Sequence, residues 1–123
     1  MKHSAEYYIE HLEMEPHVEG GYFKECLLEK EERNLWSSIY FMLAKGEVSH
    51  FHRLKSDEVW YYHDGNALTI YMIDEAGKLT AAKLGLDLEK GEVPQVLVPK
   101  GMIFGSATVS YTHLRAHETE LHL

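Results

Sequence analysis

The chain has 123 residues, of which 26% are charged, and a net charge of −8. This length suits one domain with a core of ordinary size. No apolar run approaches the roughly eighteen residues that a membrane span needs, and lysines and arginines do not cluster, so we expect neither a membrane nor a nucleic-acid partner. The single cysteine, Cys26, excludes an internal disulfide, and the N-terminus has no apolar signal core, so we expect a cytoplasmic protein.

The N-terminal segment predicts a short helix. Ser4 is a suitable cap for residues 4–12 (SAEYYIEHL), and Tyr8, Ile9 and Leu12 fall on one face at helical spacing. PHVEGG (residues 16–21) ends this pattern with a proline and two glycines.

The rest of the chain alternates short β-like segments with turn residues. The segments are GYFKECLL, LWSSIYFMLAKG, EVSHFHRL, EVWYYHDGN, ALTIYMI, LTAAKLGL, PQVLVPKG and MIFGSA. Many short strands separated by Gly, Asp, Asn and Pro are typical of an antiparallel sandwich or barrel. We therefore predict an all-β domain with one short N-terminal helix.

The segment SHFHRLKSDEVW (residues 49–60) contains the clearest candidate site. On a regular strand His50 and His52 point to the same face, because side chains alternate with a period of two. An antiparallel turn after Leu54 would bring Glu58 opposite this pair. Two imidazoles and a carboxylate could hold a first-row divalent metal (Fe, Mn, Ni or Zn), bind an organic ligand without metal, or lie on a solvated face and bind nothing.

Two motifs in this chain resemble those of a known family. G-x3-HFH-x5-E-x6-G (residues 46–65) and P-x-G-x2-F (residues 99–104) resemble the first and second conserved motifs of the cupin superfamily. PHVEGGYFKE, SSIYFML, LGLDLEKGEVPQ and VPKGMIFGSA are similar to the small cupin-5 branch, whose members are largely uncharacterised. Over residues 5–107 the resemblance implies a double-stranded β-helix, or jelly-roll barrel, that encloses a pocket and often pairs as a homodimer.

The chain departs from the metal-binding members at one position. These members take a further histidine from the second motif, where this chain has Phe104. The candidate ligands are therefore His50, His52 and Glu58, and three ligands suffice for a metal with open positions. An aromatic side chain at the fourth place equally suits a dry pocket for an organic ligand.

Further residues are candidates for lining the same pocket. Alternation from Glu58 turns Trp60 and Tyr62 inward, where they would supply apolar contact and a hydroxyl group, or simply pack in the core. His17 and Glu19 precede the glycines of PHVEGG, and this segment either borders the cavity or is only a turn. Phe104 completes the predicted ligand-binding set.

The C-terminal segment does not fit the rest of the chain. Residues 109–119 (VSYTHLRAHET) resemble the translation of a sequencing-library adapter, and the resembled family would continue with at least one more strand. We therefore expect a cupin domain over residues 1–107, a non-native tail over residues 108–123, and a missing last strand.

Three functional hypotheses follow. The first is an enzyme of isomerase or epimerase type that acts on a small polar, carbohydrate-like molecule, with His52 and Glu58 as acid and base or with a divalent metal. The second is a small-molecule binding or sensing protein that uses the same residues without catalysis. The third is a structural or interaction protein whose histidines are incidental.

Overall fold

The computed structural model describes residues 3–30 and 34–108, and for residues 27–30 and 34–36 only the backbone. The predicted N-terminal helix is present as α1 (Ala5–His11). Ser4 caps it as expected, since its Oγ accepts the backbone N–H of Tyr7 at 3.2 Å. Of the predicted tail at residues 108–123, residues 109–123 lie outside the described residues.

The remaining described chain is almost entirely β-strand. The strands are β1 (Glu15–Pro16), β2 (Tyr22–Lys30), β3 (Asn34–Met42), β4 (Val48–Arg53), β5 (Glu58–Tyr61), β6 (Leu68–Ile73), β7 (Leu79–Leu84), β8 (Glu92–Val93), β9 (Gln95–Val98) and β10 (Ile103–Ala107). A short 3-10 turn, Leu88–Lys90, precedes β8. Each of the eight β-like segments of the sequence forms a strand, which confirms the predicted all-β fold.

The strands form three sheets. Their orders are β1-β2-β3, β4-β10-β6-β7-β8 and β5-β9. Every pairing is antiparallel except that of β7 with β8. This arrangement is the jelly-roll architecture, in which sheets face each other across an apolar interior.

The larger core cluster joins the five-stranded sheet to the β5–β9 ribbon. Ile70 and Phe104 from the five-stranded sheet pack with Val96 and Val98 from β9, and Trp60 packs against them. Phe104 and Val98 are each only 1% exposed. Full burial of such a side chain contributes about 1.5–3 kcal/mol, so this cluster stabilises the packing of the ribbon against the five-stranded sheet.

Strand β4 contains a β-bulge next to the candidate site. His52 pairs with Phe104 and Ser49 pairs with Ser106, so three steps along β4 match two steps along β10. Gly105 lies opposite the extra residue, where an added Cβ would lie 2.8 Å from the Ser49 carbonyl oxygen. Because a bulge interrupts side-chain alternation, the sequence argument that His50 and His52 share a face does not apply here.

The expected antiparallel return after Leu54 takes a different form. Strand β5 pairs with β9, whereas β4 belongs to the five-stranded sheet, so the chain crosses from one sheet to the other instead of forming a hairpin. Asp57 fixes this crossing, since its Oδ1 accepts the backbone N–H of Lys100 at 2.8 Å. The hairpin expectation was wrong because a short polar turn can lead either back along the same sheet or across to another sheet, and its residues are the same in both cases.

Candidate functional site

His17 is held in a tight turn formed by PHVEGG. Its backbone N–H donates to the Gly21 carbonyl at 2.8 Å, and its own carbonyl accepts from Gly20 at 3.0 Å. Gly20 has φ +110°, and a Cβ there would collide with the Val48 carbonyl oxygen. The turn therefore lies directly against β4, and only glycine permits both the conformation and the close approach.

The hydrogen bonds of the two histidines assign their tautomers. The backbone N–H of Glu19 donates to His17 Nδ1 at 3.0 Å, so a neutral His17 carries its proton on Nε2. His52 Nδ1 lies 2.7 Å from the carbonyl oxygen of His50, which can only accept, so this nitrogen carries the proton. A neutral His52 therefore offers Nε2 as an acceptor, whereas His17 offers Nε2–H as a donor.

Glu58 is held by the indole of Trp60. Trp60 Nε1–H donates to Glu58 Oε1 at 2.5 Å, between two inward-facing residues of β5. Both side chains are half-buried. A charge-assisted bond of this kind fixes the carboxylate more firmly than a neutral hydrogen bond does.

Five aromatic side chains from different parts of the chain surround these polar groups. The ring centroids are 5.6 Å apart for His17 and Phe41, 5.5 Å for Phe41 and Trp60, 6.5 Å for Trp60 and Phe104, and 4.4 Å for Phe104 and His52. The charge of His52 also lowers the pKa of His17, so the two ends of this series of rings interact electrostatically. We call these five side chains the ring cluster. Phe104 is fully buried, whereas the other four are half-buried and reach solvent.

Burial changes the protonation of two groups at the site. It raises the pKa of Glu58 above its usual 4.5, and the Trp60 hydrogen bond and the charge of His52 only partly oppose this effect. Burial also lowers the pKa of His17 below 6.5, with repulsion from His52 adding to it and Glu19 acting against it. Shifts of this kind, with a cause in specific neighbours, are typical of functional sites.

The structure does not bring every predicted site residue together. Pairwise contacts, in part through Phe41, link His52, Glu58, Trp60, Phe104 and His17. For His50 the structure gives a backbone contact, in which its N–H donates to the Glu19 carbonyl at 2.7 Å. The Tyr62 hydroxyl donates to the Gly65 carbonyl at 2.6 Å, so Tyr62 closes a loop and packs in the core. Glu19 contributes its backbone groups and a charge near His17.

The arrangement does not assemble the predicted metal ligands. Among residues 3–30 and 34–108, no three His, Cys, Asp or Glu side chains are grouped so that they could hold a metal ion. Phe104 stands where the metal-binding relatives in the resembled superfamily supply a further histidine, so the second motif adds no ligand here. A metal at His50, His52 and Glu58 stays a prediction, and the chemistry below does not use one.

Sequence reasoning missed one member of the ring cluster and two buried hydroxyls. Phe41 comes from β3. The sequence showed only that Phe41 falls on the same face of this strand as Ile39 and Leu43, and not that this face borders the site. Ser49 and Ser106 pair across β4 and β10 and are both buried, and the Ser106 Oγ has no hydrogen-bond partner among the described residues. Nothing in the sequence indicated that these serines would face the interior.

A separate depression lies on the surface at the turn between β6 and β7. It has a volume of about 390 Å³ and is lined by residues 74–76 and 99–102. None of the predicted site residues lines it. No chemistry is evident there, since its polar side chains are the exposed Glu75 and Lys100 and the half-buried Asp74.

Comparison with known proteins agrees with this fold. A family model described as cupin superfamily (DUF985) matches residues 6–116. An X-ray structure of a Shewanella oneidensis protein is 56% identical, with a TM-score of 0.84 over 88% of this chain and 71% of that one. A hypothetical protein from Leishmania major is 33% identical, with a TM-score of 0.79 over 89% and 73% of the two chains. No curated protein matches.

Proposed function

Because the chain belongs to the cupin-5 family (DUF985) of the cupin superfamily, we propose that it binds a small polar organic molecule at the ring cluster. The observation that carries this proposal is the half-buried Glu58 carboxyl group, which is bonded to Trp60 and lies near His52 beside a series of five contacting rings. Small-molecule sites in proteins combine apolar and aromatic walls with a few convergent polar groups. The donor on His17, the acceptor on His52 and the carboxylate of Glu58 are such groups.

We further propose that His52 and Glu58 transfer protons to and from the bound molecule. A neutral His52 has an acceptor nitrogen free, and its Nδ1–H is oriented by the His50 carbonyl, as expected of a general base. Glu58 has a raised pKa, so its protonated form persists to higher pH than in an ordinary glutamate and can act as the acid. Removing a proton from a carbon and returning one to a neighbouring atom is the reaction of an isomerase, and returning it to the opposite face of the same carbon is that of an epimerase.

Binding is tested by thermal-shift screening of the protein against sugars, amines, nucleotides and organic acids. A ligand that binds only the folded state raises the free energy of unfolding by about 2.7 kcal/mol when its concentration is one hundred times its Kd. This gives a readily measured rise in Tm. The rise should be lost in His52→Ala and kept in Glu25→Gln, a matched change on an exposed carboxylate of β2. A hit whose shift survives His52→Ala would contradict the proposed site.

Turnover of a confirmed ligand separates an enzyme from a sensor. In deuterated water, an isomerase or epimerase exchanges a carbon-bound proton of its substrate, and NMR detects the loss of that signal. Exchange should disappear in Glu58→Gln while binding persists. A ligand that binds without exchange would support the non-catalytic binding protein instead.

The metal, the dimer and the location are kept as separate proposals. Stoichiometric Fe, Mn, Ni or Zn that is lost in His52→Ala would support a metal enzyme.

The proposed homodimer is supported by the outer face of the β5–β9 ribbon, where the exposed Val59 and Leu97 pair directly. In analytical ultracentrifugation, Leu97→Lys should sediment as a monomer if this face forms the interface. No helix within residues 3–30 and 34–108 is long and apolar enough to cross a bilayer, and cell fractionation tests the proposed cytoplasmic location.

A further inference from the structure

The backbone of His50 connects two parts of the site. Its N–H donates to the Glu19 carbonyl at 2.7 Å, and its carbonyl oxygen accepts from His52 Nδ1, also at 2.7 Å. His50 is therefore bound on one side to the PHVEGG turn and on the other side to the imidazole of His52. Both contacts use main-chain atoms, so they do not depend on which side chain residue 50 carries.

The β-bulge in β4 allows His50 to make both contacts. Two residues of β4, His50 and Phe51, lie opposite the single Gly105 of β10. A bulge leaves an extra residue out of the regular pairing and is common next to functional sites, where it re-aims a side chain. In this chain the backbone of His50 is directed to Glu19 and to the ring of His52.

The side chain of His17 closes the turn that holds His50. Its Nδ1 accepts the backbone N–H of Glu19, two residues later, at 3.0 Å. Asn and Asp side chains make the same contact in Asx turns. The imidazole thereby fixes Glu19, whose carbonyl accepts from His50. Three hydrogen bonds, made through Glu19 and His50, thus link the ring of His17 to the ring of His52.

This series determines which nitrogen of His52 can accept a proton. The hydrogen bond that one ring nitrogen makes sets the tautomer of a neutral imidazole. With Nδ1–H bound to the His50 carbonyl, Nε2 carries the free lone pair that a general base needs. If the His50 carbonyl turned away, part of the population would carry the proton on Nε2, and that form cannot accept a proton there.

We propose that His17 is a positioning residue for the base His52 and that it acts through the backbone of Glu19 and His50. This inference rests on the proposed function, in which His52 accepts a proton, and deepens it by naming what orients that base. It gives His50 a main-chain role, whereas the metal site predicted from the sequence needs the His50 imidazole.

The test measures the tautomer of His52 in two variants of His17. Long-range ¹H–¹⁵N NMR of the imidazoles at about pH 9, where histidines are neutral, gives the ratio of the two forms without any ligand. The wild type should favour Nδ1–H by about tenfold. His17→Leu should lower this ratio about fivefold, which is the effect of one ordinary hydrogen bond. His17→Asn should keep the wild-type ratio, because its amide oxygen can accept the same N–H.

Further variants assign the effect to the turn. His50→Ala should leave the ratio unchanged, since residue 50 contributes only main-chain atoms. The matched control His63→Leu removes an exposed imidazole that contacts Tyr40 and should also leave it unchanged. Urea unfolding shows which variants are folded. If His17→Leu is not, His17→Gln provides the same comparison, because its longer side chain misplaces the oxygen.

The outcomes separate this inference from the proposed function. A ratio that stays unchanged in His17→Leu, or that falls equally in His17→Asn, would overturn the positioning role of His17 while His52 remains the proposed base. Loss of the Nδ1–H form in His50→Ala would overturn the main-chain role of His50. A wild type that carries its proton on Nε2 of His52 would contradict the proposed function as well, because His52 would then offer no acceptor at that nitrogen.

Discussion

The hydrogen bond between Trp60 and Glu58 should make a measurable contribution to stability. Trp60→Phe keeps an aromatic ring on β5 but removes the N–H that donates to the carboxylate at 2.5 Å. Hydrogen bonds to charged groups contribute about 1.5–3 kcal/mol when buried. Because Glu58 is only half-buried, we expect a contribution below this range, about 1 kcal/mol, after allowance for solvent screening.

A double-mutant cycle isolates this bond from the packing lost with the smaller ring. Glu58→Met keeps the length of the side chain and removes the acceptor, so Trp60→Phe in that background measures packing alone. Urea unfolding followed by far-UV circular dichroism avoids dependence on tryptophan fluorescence. We expect a coupling free energy of about 1 kcal/mol, or a midpoint shift of roughly 0.5 M urea. A coupling within about 0.3 kcal/mol of zero would show that the indole does not hold the carboxylate.

Three further predictions concern the turn and the titrating groups. Gly20→Ala should destabilise the protein by about 1–3 kcal/mol more than Gly46→Ala in urea unfolding, since both glycines have positive φ but only Gly20 abuts β4. Equal costs would contradict the close approach. Because burial raises the pKa of Glu58 above 4.5, the wild type should lose stability relative to Glu58→Gln as pH rises through that raised pKa. Below pH 4.5 the difference between the two stabilities should no longer change with pH, and a difference that stays constant over the whole pH range would exclude burial as the cause. His17 should titrate below 6.5 by NMR, and His52→Gln should raise its pKa. An unchanged titration would mean that the two imidazoles do not interact.

The strands and the helix could be predicted because their signals are local. The Ser4 cap and the helical spacing after it specify α1, and turn residues bound each strand. Proximity of His52 and Glu58 was also predictable, since a short turn limits how far apart two flanking segments can lie. Local patterns alone did not decide between a sandwich and a barrel. The resemblance of the two motifs to the cupin superfamily favoured the barrel.

The rest depended on contacts between distant parts of the chain. At the bulge in β4, Gly105, more than fifty residues later in the chain, lets β10 approach β4 closely. Phe41 joins the ring cluster only because β3 and β5 lie near each other. Neither a period of two nor a turn signal carries that information, so the ligand set of the site could not be derived from the histidine spacing.

The most direct test of the site is whether one ligand contacts its separate polar groups at once. For any small molecule that raises the Tm, NMR should show the indole N–H of Trp60 and the ring protons of His17 and His52 shifting together with a single Kd. Intermolecular NOEs from the same molecule to Phe104 would place it within the ring cluster. Hits that leave these signals unchanged and shift other residues instead would contradict the account.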